Sequence, residues 1–126
     1  MDRSIMELAQ VLQDKTVKRR RDFHKYAEVA WTEFRTAAIV ADILTDLGYK
    51  VFVGEEVIVP DAMMGVPAAQ ELDDHMERAI RQGGNPVWVE KMRGGKTGVV
   101  GVMNFAKPGP TVALRFDMDA LGAIEA

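Results

Sequence analysis

Apolar positions recur with helical spacing over the first part of the chain. Ile5, Leu8, Val11 and Leu12 form a stripe that Phe23 and Ala27 resume, which predicts a first helix over residues 2–26. Residues 27–31 read as a turn. Thr32 is placed to cap a second helix, with Glu33 in the first turn where the helix dipole favours an acid. Ile39, Val40, Ile43, Leu44 and Leu47 are its expected buried face, and Gly48 its terminator. Residues 50–53 open a strand that could resume at 57–59 after a break at Gly54. Residues 60–67 read as a loop. Pro67 suits the first position of a third helix with acids early (Glu71, Asp73, Asp74), bases late (Arg78, Arg81) and Gly83-Gly84 beyond. Leu72, Met76 and Ile80 are its expected inner stripe. Asn85-Pro86 starts a short fourth helix through Met92.

The pattern then changes. Residues 98–105 and 111–116 are continuous apolar runs rich in β-branched residues, separated by the turn chemistry of Lys107-Pro108-Gly109-Pro110. So short a connection cannot make a parallel crossover, so the two runs are expected to pair as an antiparallel hairpin. Continuous apolar strands call for cover on both faces. The first two helices supply one cover, and the other is expected beyond Ala126.

Composition narrows the class. The chain has 126 residues, 48% hydrophobic and 28% charged, enough for one folded domain and too apolar for disorder. A net charge of −3 gives no attraction to nucleic acid or acidic membranes. No cysteine is present, which excludes disulfides and thiolate metal sites within the chain. The first residues, Met1-Asp2-Arg3-Ser4, lack the basic start and apolar core of a secretion signal, and no apolar run reaches the ~18 residues of a membrane helix. A cytoplasmic protein is the expectation.

The chemistry concentrates near the end. Arg115, Asp117 and Asp119 stand at the end of the last apolar run, and open α/β sheets build sites at the C-terminal ends of strands. Alternation along an extended chain lets both aspartates project to one side. There they could hold a divalent ion, orient a metal-bound group or grip a basic one, or simply close a turn. His24 and Glu28, four apart, would share a helix face, as a structural pair or as two of several metal ligands. The basic run 18–21 reads as a solvated helix face, and His75 as a surface residue. Gly94-Gly95-Lys96-Thr97 fails as a phosphate loop because Glu90 stands where the upstream glycine belongs. Ser4 is the sole serine, so serine catalysis has no candidate. A catalytic zinc-type site needs about three protein ligands, and no combination here closes one.

One ordered set of residues resembles a known family. Arg20-Arg21-Asp22-Phe23-His24 with Ala27-Glu28, then Glu33 and Thr36, then Leu47-Gly48-Tyr49, is similar to the opening of the M20 metallopeptidases in their amidohydrolase branch. Thr97-Gly98-Val99-Val100, Lys107-Pro108-Gly109-Pro110 and Arg115-Phe116-Asp117-Met118-Asp119-Ala120-Leu121 continue the match in order. Ala27 stands where most of the branch has proline, and a long link separates the first strand from the Thr-Gly strand. Both departures resemble the aminobenzoyl-glutamate subgroup.

The resemblance implies the N-terminal part of an α/β/α zinc-peptidase-like catalytic domain, its long N-terminal helices packed on a mixed sheet, with residues 1–126 covering an incomplete segment. It implies cleavage of the amide bond of an N-acyl amino acid such as p-aminobenzoyl-glutamate. One or two divalent ions, manganese or zinc, would activate the water, and a glutamate would act as general base. The branch takes its ligands from a downstream His-Ala-Cys-Gly-His-Asp segment, a Glu-Glu pair and later histidines, none present in this chain. The chain alone is therefore expected to carry no catalytic residue and no bound metal, and to be inactive. Asp117 and Asp119 carry over as orienting residues beside the site, with Arg115 on the substrate side, and His24 as structural. A homo-oligomer or a related second subunit is the expected partner, with no nucleic acid and no membrane. Two other readings stand beside this one. The first is a non-catalytic module that self-associates through an exposed sheet face, and the second a small ion-binding protein using Asp117, Asp119 and His24.

Overall fold

The computed structural model describes residues 4–122. Helix α1 spans Ile5–Lys25, α2 Phe34–Asp46, α3 Ala69–Arg81 and α4 Pro86–Lys91; strands β1 and β2 span Lys50–Val53 and Val99–Val102. Short 3-10 turns occupy Gly54–Glu56 and Pro60–Ala62.

Local chemistry sets the helix ends. Ser4 caps α1 reciprocally: its hydroxyl accepts from the Glu7 N–H, and the Glu7 carboxylate accepts from the Ser4 N–H at 2.7 Å. Residues 2 and 3, where the sequence places the start of this helix, lie outside the described residues. The end of α2 is a Schellman turn. The Gly48 N–H donates to Thr45 O at 2.9 Å and the Tyr49 N–H to Leu44 O at 3.0 Å. This needs Gly48 at φ +87°, which glycine adopts without strain. The Asn85 side chain accepts from the Val87 N–H and Pro86 opens α4, as expected.

The strands pair antiparallel, Lys50 opposite Val102 and Val53 opposite Val99. Two apolar faces result. Val51, Val53 and Val99 point to the core, and Gly101 lies under Leu44 of α2. Phe52, Val100 and Val102 alternate to the other face, where Val100 and Val102 are exposed. The core joins Phe34, Ala37, Ala38 and Ala41 of α2 to Val53, Leu72, Met76, Ala79, Val89 and Met92. Asp42 fastens α4 to α2, accepting from Asn85 Nδ2 at 2.9 Å and Trp88 Nε1 at 2.7 Å.

Several expectations fail. Residues 98–105 and 111–116 do not form a hairpin: β2 pairs with β1, and the later run forms neither helix nor strand, with Val112, Leu114 and Phe116 exposed. The turn residues permit a reversal without enforcing a partner. The strand does not resume at 57–59, because the Val57 and Ile58 N–H groups fold back onto Gly54 O. The apolar stripe of α1 is not buried, and that helix has no buried residue. In α2 the alanines, which allow close approach, occupy the core, whereas Ile39, Val40, Ile43 and Leu44 are half-buried and Leu47 is exposed. Helix α3 starts at Ala69, after Pro67, and buries Ala79 in place of Ile80. Among the described residues no helix is long and apolar enough to cross a membrane.

Candidate functional site

The turn between α1 and α2 carries a group of buried polar residues. Thr32 does not cap α2; its hydroxyl donates to Val29 O at 2.8 Å. Glu28 takes that role from outside the helix, one carboxylate oxygen accepting from the Arg35 N–H at 3.1 Å and the other from the Thr36 N–H at 2.7 Å. Those are orphan donors of the first helical turn. Arg78 of α3 closes the arrangement, its Nη2 donating to Glu28 Oε1 at 2.8 Å and to Thr32 O at 3.1 Å. The Glu28 carboxylate thus meets one cation and two backbone donors. That satisfies a buried charge.

Arg35 ties α1 to this centre. Its Nη2 donates to both Asp22 oxygens at 3.0 and 2.9 Å, its Nε to Gln82 O at 2.8 Å, and its guanidinium lies 4.3 Å from the Tyr26 ring centre. Trp31 holds a left-handed conformation at φ 66°, uncommon for a bulky side chain. Its indole N–H donates to Met64 O at 3.0 Å, fastening the 60–67 loop to the turn.

Glu33 is the unusual member. It is buried, and its carboxylate accepts from the Thr97 hydroxyl at 2.7 Å. Burial pushes its carboxyl above the usual range; the Thr97 bond opposes this, and the charges of Asp119 and Glu28 reinforce it. Asp119 arrives on the terminal segment: Met118 packs against the core, and the Ala120 N–H donates to Glu28 O at 2.8 Å.

The three residues expected from sequence therefore separate. Asp119 is exposed on the terminal segment, and its charge helps hold the Glu33 carboxyl up. Asp117 pairs with Arg115 at 2.7 Å, both exposed. His24 and Glu28 do not share a helix face, since α1 ends at Lys25 and Glu28 lies beyond it. His75 is partly exposed on α3. Among the described residues no group of three or more His, Cys, Asp or Glu is arranged to hold a metal. Sequence reasoning reaches Glu28, Glu33 and Thr97 but misses the contacts that bury them. The signal for those contacts is two acids flanking Trp31-Thr32 just ahead of an apolar helix.

No family model matches the chain. Over 106 residues, 84% of its length, it is 46% identical to a subunit of the p-aminobenzoyl-glutamate hydrolase of Escherichia coli. The chain is a homologue of that hydrolase subunit. It is also 45% identical over 102 residues to the indole-3-acetyl-aspartic acid hydrolase of Enterobacter agglomerans. A crystal structure of an aminobenzoyl-glutamate utilization protein from Klebsiella pneumoniae superposes with a TM-score of 0.91 at 44% identity, covering 94% of this chain and 30% of that one. The helix-rich fold with its small sheet thus matches part of a solved α/β protein. The chain spans about a quarter of the length of the curated relatives it matches.

Proposed function

We propose that the chain is the N-terminal portion of a metal-dependent amidohydrolase of the M20 type, cleaving the amide bond of an N-acyl amino acid. The observation that carries this is the identity of 46% and 45% to two hydrolases named for p-aminobenzoyl-glutamate and indole-3-acetyl-aspartic acid. Both named compounds join an aromatic acyl group to an acidic amino acid. That is the substrate class to test first, starting with p-aminobenzoyl-glutamate.

In this reading residues 1–126 are the opening segment of the catalytic domain. Asp117 and Asp119 orient groups at the reaction centre and Arg115 faces the substrate. Manganese or zinc serves the longer protein through ligands outside this chain. One relative is named as one subunit of its hydrolase, which supports a second, related subunit in the role of partner; the setting is cytoplasmic.

The test compares the 126-residue chain with a form extended to the length of the relatives, each given manganese or zinc and p-aminobenzoyl-glutamate. Release of p-aminobenzoate by the extended form alone supports the reading. Turnover by the short chain, or none by the extended form with either this substrate or indole-3-acetyl-aspartate, overturns it. A second reading, a self-associating non-catalytic module, is favoured by the exposed Val100, Val102, Val112, Leu114 and Phe116. Sedimentation of the 126-residue chain as a monomer across a wide concentration range would remove it.

A further inference from the structure

The turn between α1 and α2 is irregular, and its shape is imposed from outside. Among the described residues Trp31 is the one non-glycine with a left-handed backbone, at φ 66°. A bulky side chain keeps that conformation only where its surroundings fix it. Two neighbours do so. Arg78 of α3 spans the turn with a single nitrogen, Nη2, which donates to Glu28 Oε1 at 2.8 Å and to Thr32 O at 3.1 Å. Ahead of β2, Gly95 comes so close that a Cβ there would stand 3.1 Å from Trp31 O. The same turn seats the terminal segment. The Ala120 N–H donates to Glu28 O at 2.8 Å, Met118 packs against the core, and a Cβ at Gly122 would lie 3.7 Å from Val29. Among the described residues no other backbone hydrogen bond joins residues 111–122 to the turn. Glu28 is therefore held by its carboxylate and holds the segment by its carbonyl.

We infer that Arg78 is a positioning residue: through Glu28 it fixes the turn that seats residues 118–120, and so sets where Asp117 and Asp119 stand. Its hydrogen bonds go to the turn rather than to the segment, so its effect on the aspartates passes through Glu28. The action of those aspartates at a reaction centre rests on the hydrolase reading; the seating of the segment by Arg78 does not.

The test has two arms. In the 126-residue chain, at a temperature where circular dichroism shows the variant folded, Arg78→Ala should lower the exchange protection of the Ala120 amide. The fall should be roughly five- to tenfold, as for release of one backbone hydrogen bond. Arg78→Lys should recover most of it, because both contacts are made by one nitrogen that an ammonium can replace. Arg81→Ala, on the same helix and paired with exposed Glu77, should leave it unchanged. In the extended form, with p-aminobenzoyl-glutamate, Arg78→Ala should lower kcat roughly tenfold to hundredfold with KM within about twofold, as for a displaced orienting group. Ala120→Pro removes the donor itself and should do the same. The double variant should be no slower than Ala120→Pro alone, because both changes cut one link, whereas independent structural losses would multiply. Ala120 protection unchanged in Arg78→Ala, or kcat losses that multiply in the double variant, overturns the inference. A wild-type extended form without turnover sinks the hydrolase reading and the aspartates' role with it, and the exchange arm still decides whether Arg78 seats the segment. If Arg78→Ala folds poorly, Arg78→Gln, which keeps a donor for Thr32 O and drops the charge, is held to the same outcomes.

Discussion

Replacing Glu28 by alanine should be among the most damaging single changes in this chain. The side chain of Glu28 is fully buried, and its partner Arg78 is 23% exposed. Truncation strands the Arg78 guanidinium, whose Nε already lacks a partner, and releases the Arg35 and Thr36 N–H groups at the start of α2. Breaking a buried pair by removing one partner costs about 3–5 kcal/mol. The residual exposure of Arg78 places the expectation at the lower end, about 3 kcal/mol. That is a large share of a stability of roughly 5–15 kcal/mol. With a urea slope of about 1.5 kcal/mol/M, the unfolding midpoint should fall by about 2 M. Helical circular dichroism and tryptophan fluorescence both report it. The cycle adds a sharper test: in Glu28→Ala/Arg78→Ala no charge is left stranded, so the double variant should cost less than the sum of the singles by about 1 kcal/mol or more. A midpoint shift under about 0.5 M, or strict additivity, would refute the claim that Glu28 is both counterion and cap.

Other outcomes follow from single contacts. Gly54→Ala, which drives a Cβ into the Lys91 carbonyl at a φ of +64°, should cost about 2 kcal/mol or more in urea unfolding. Phe34→Ala, at a site with 0% exposure between α2 and its neighbours, should cost about 3–5 kcal/mol by the same assay. Glu33 gives a pH dependence of defined sign. Its folded form binds the proton more tightly than the unfolded chain, so its contribution is best below the ordinary value of 4.5 and is lost as pH rises through the raised folded value. Glu33→Gln should flatten that part of the stability profile, and a profile unchanged by the substitution would count against the assignment.

What the sequence discloses and what it conceals divides along the range of the interaction. Gly48, Asn85-Pro86 and the acids and bases of α3 mark helix ends through contacts within a turn, and these are readable. The partner of β2 is not. Val99–Val102 pairs with a strand some fifty residues earlier, and nothing in a run of valines names its neighbour. The same holds for α2, where periodicity points to isoleucine, valine and leucine; packing density instead selects Ala37, Ala38 and Ala41, because small residues let a helix approach its neighbours closely. At the site, Glu28 and Glu33 stand in the resemblance to the family, but their partners Arg78 and Thr97 lie 50 and 64 residues away. Asp117 and Asp119 look equivalent in sequence. They differ in the structure because only Asp119 falls between the two anchors, Met118 and Ala120.

The outer side of the sheet separates the two functional readings by mass action. Val100 and Val102 are 44% and 43% exposed, and Val112, Leu114 and Phe116 are 77%, 78% and 79% exposed. Apolar residues scattered singly need no explanation, but a strand face and a run of exposed apolar side chains ask for cover. Cover supplied by more of the same polypeptide is intramolecular and stabilises independently of concentration. Cover supplied by a second copy makes the melting temperature rise with protein concentration. For the 126-residue chain, the hydrolase reading predicts a melting temperature that does not change with concentration and substitutions Leu114→Asp and Phe116→Asp within about 0.5 kcal/mol of neutral. The self-association reading predicts a rise with concentration that the same substitutions abolish. A concentration-dependent melt that Leu114→Asp removes would overturn the first reading of this surface, and a flat melt unaffected by either substitution would overturn the second.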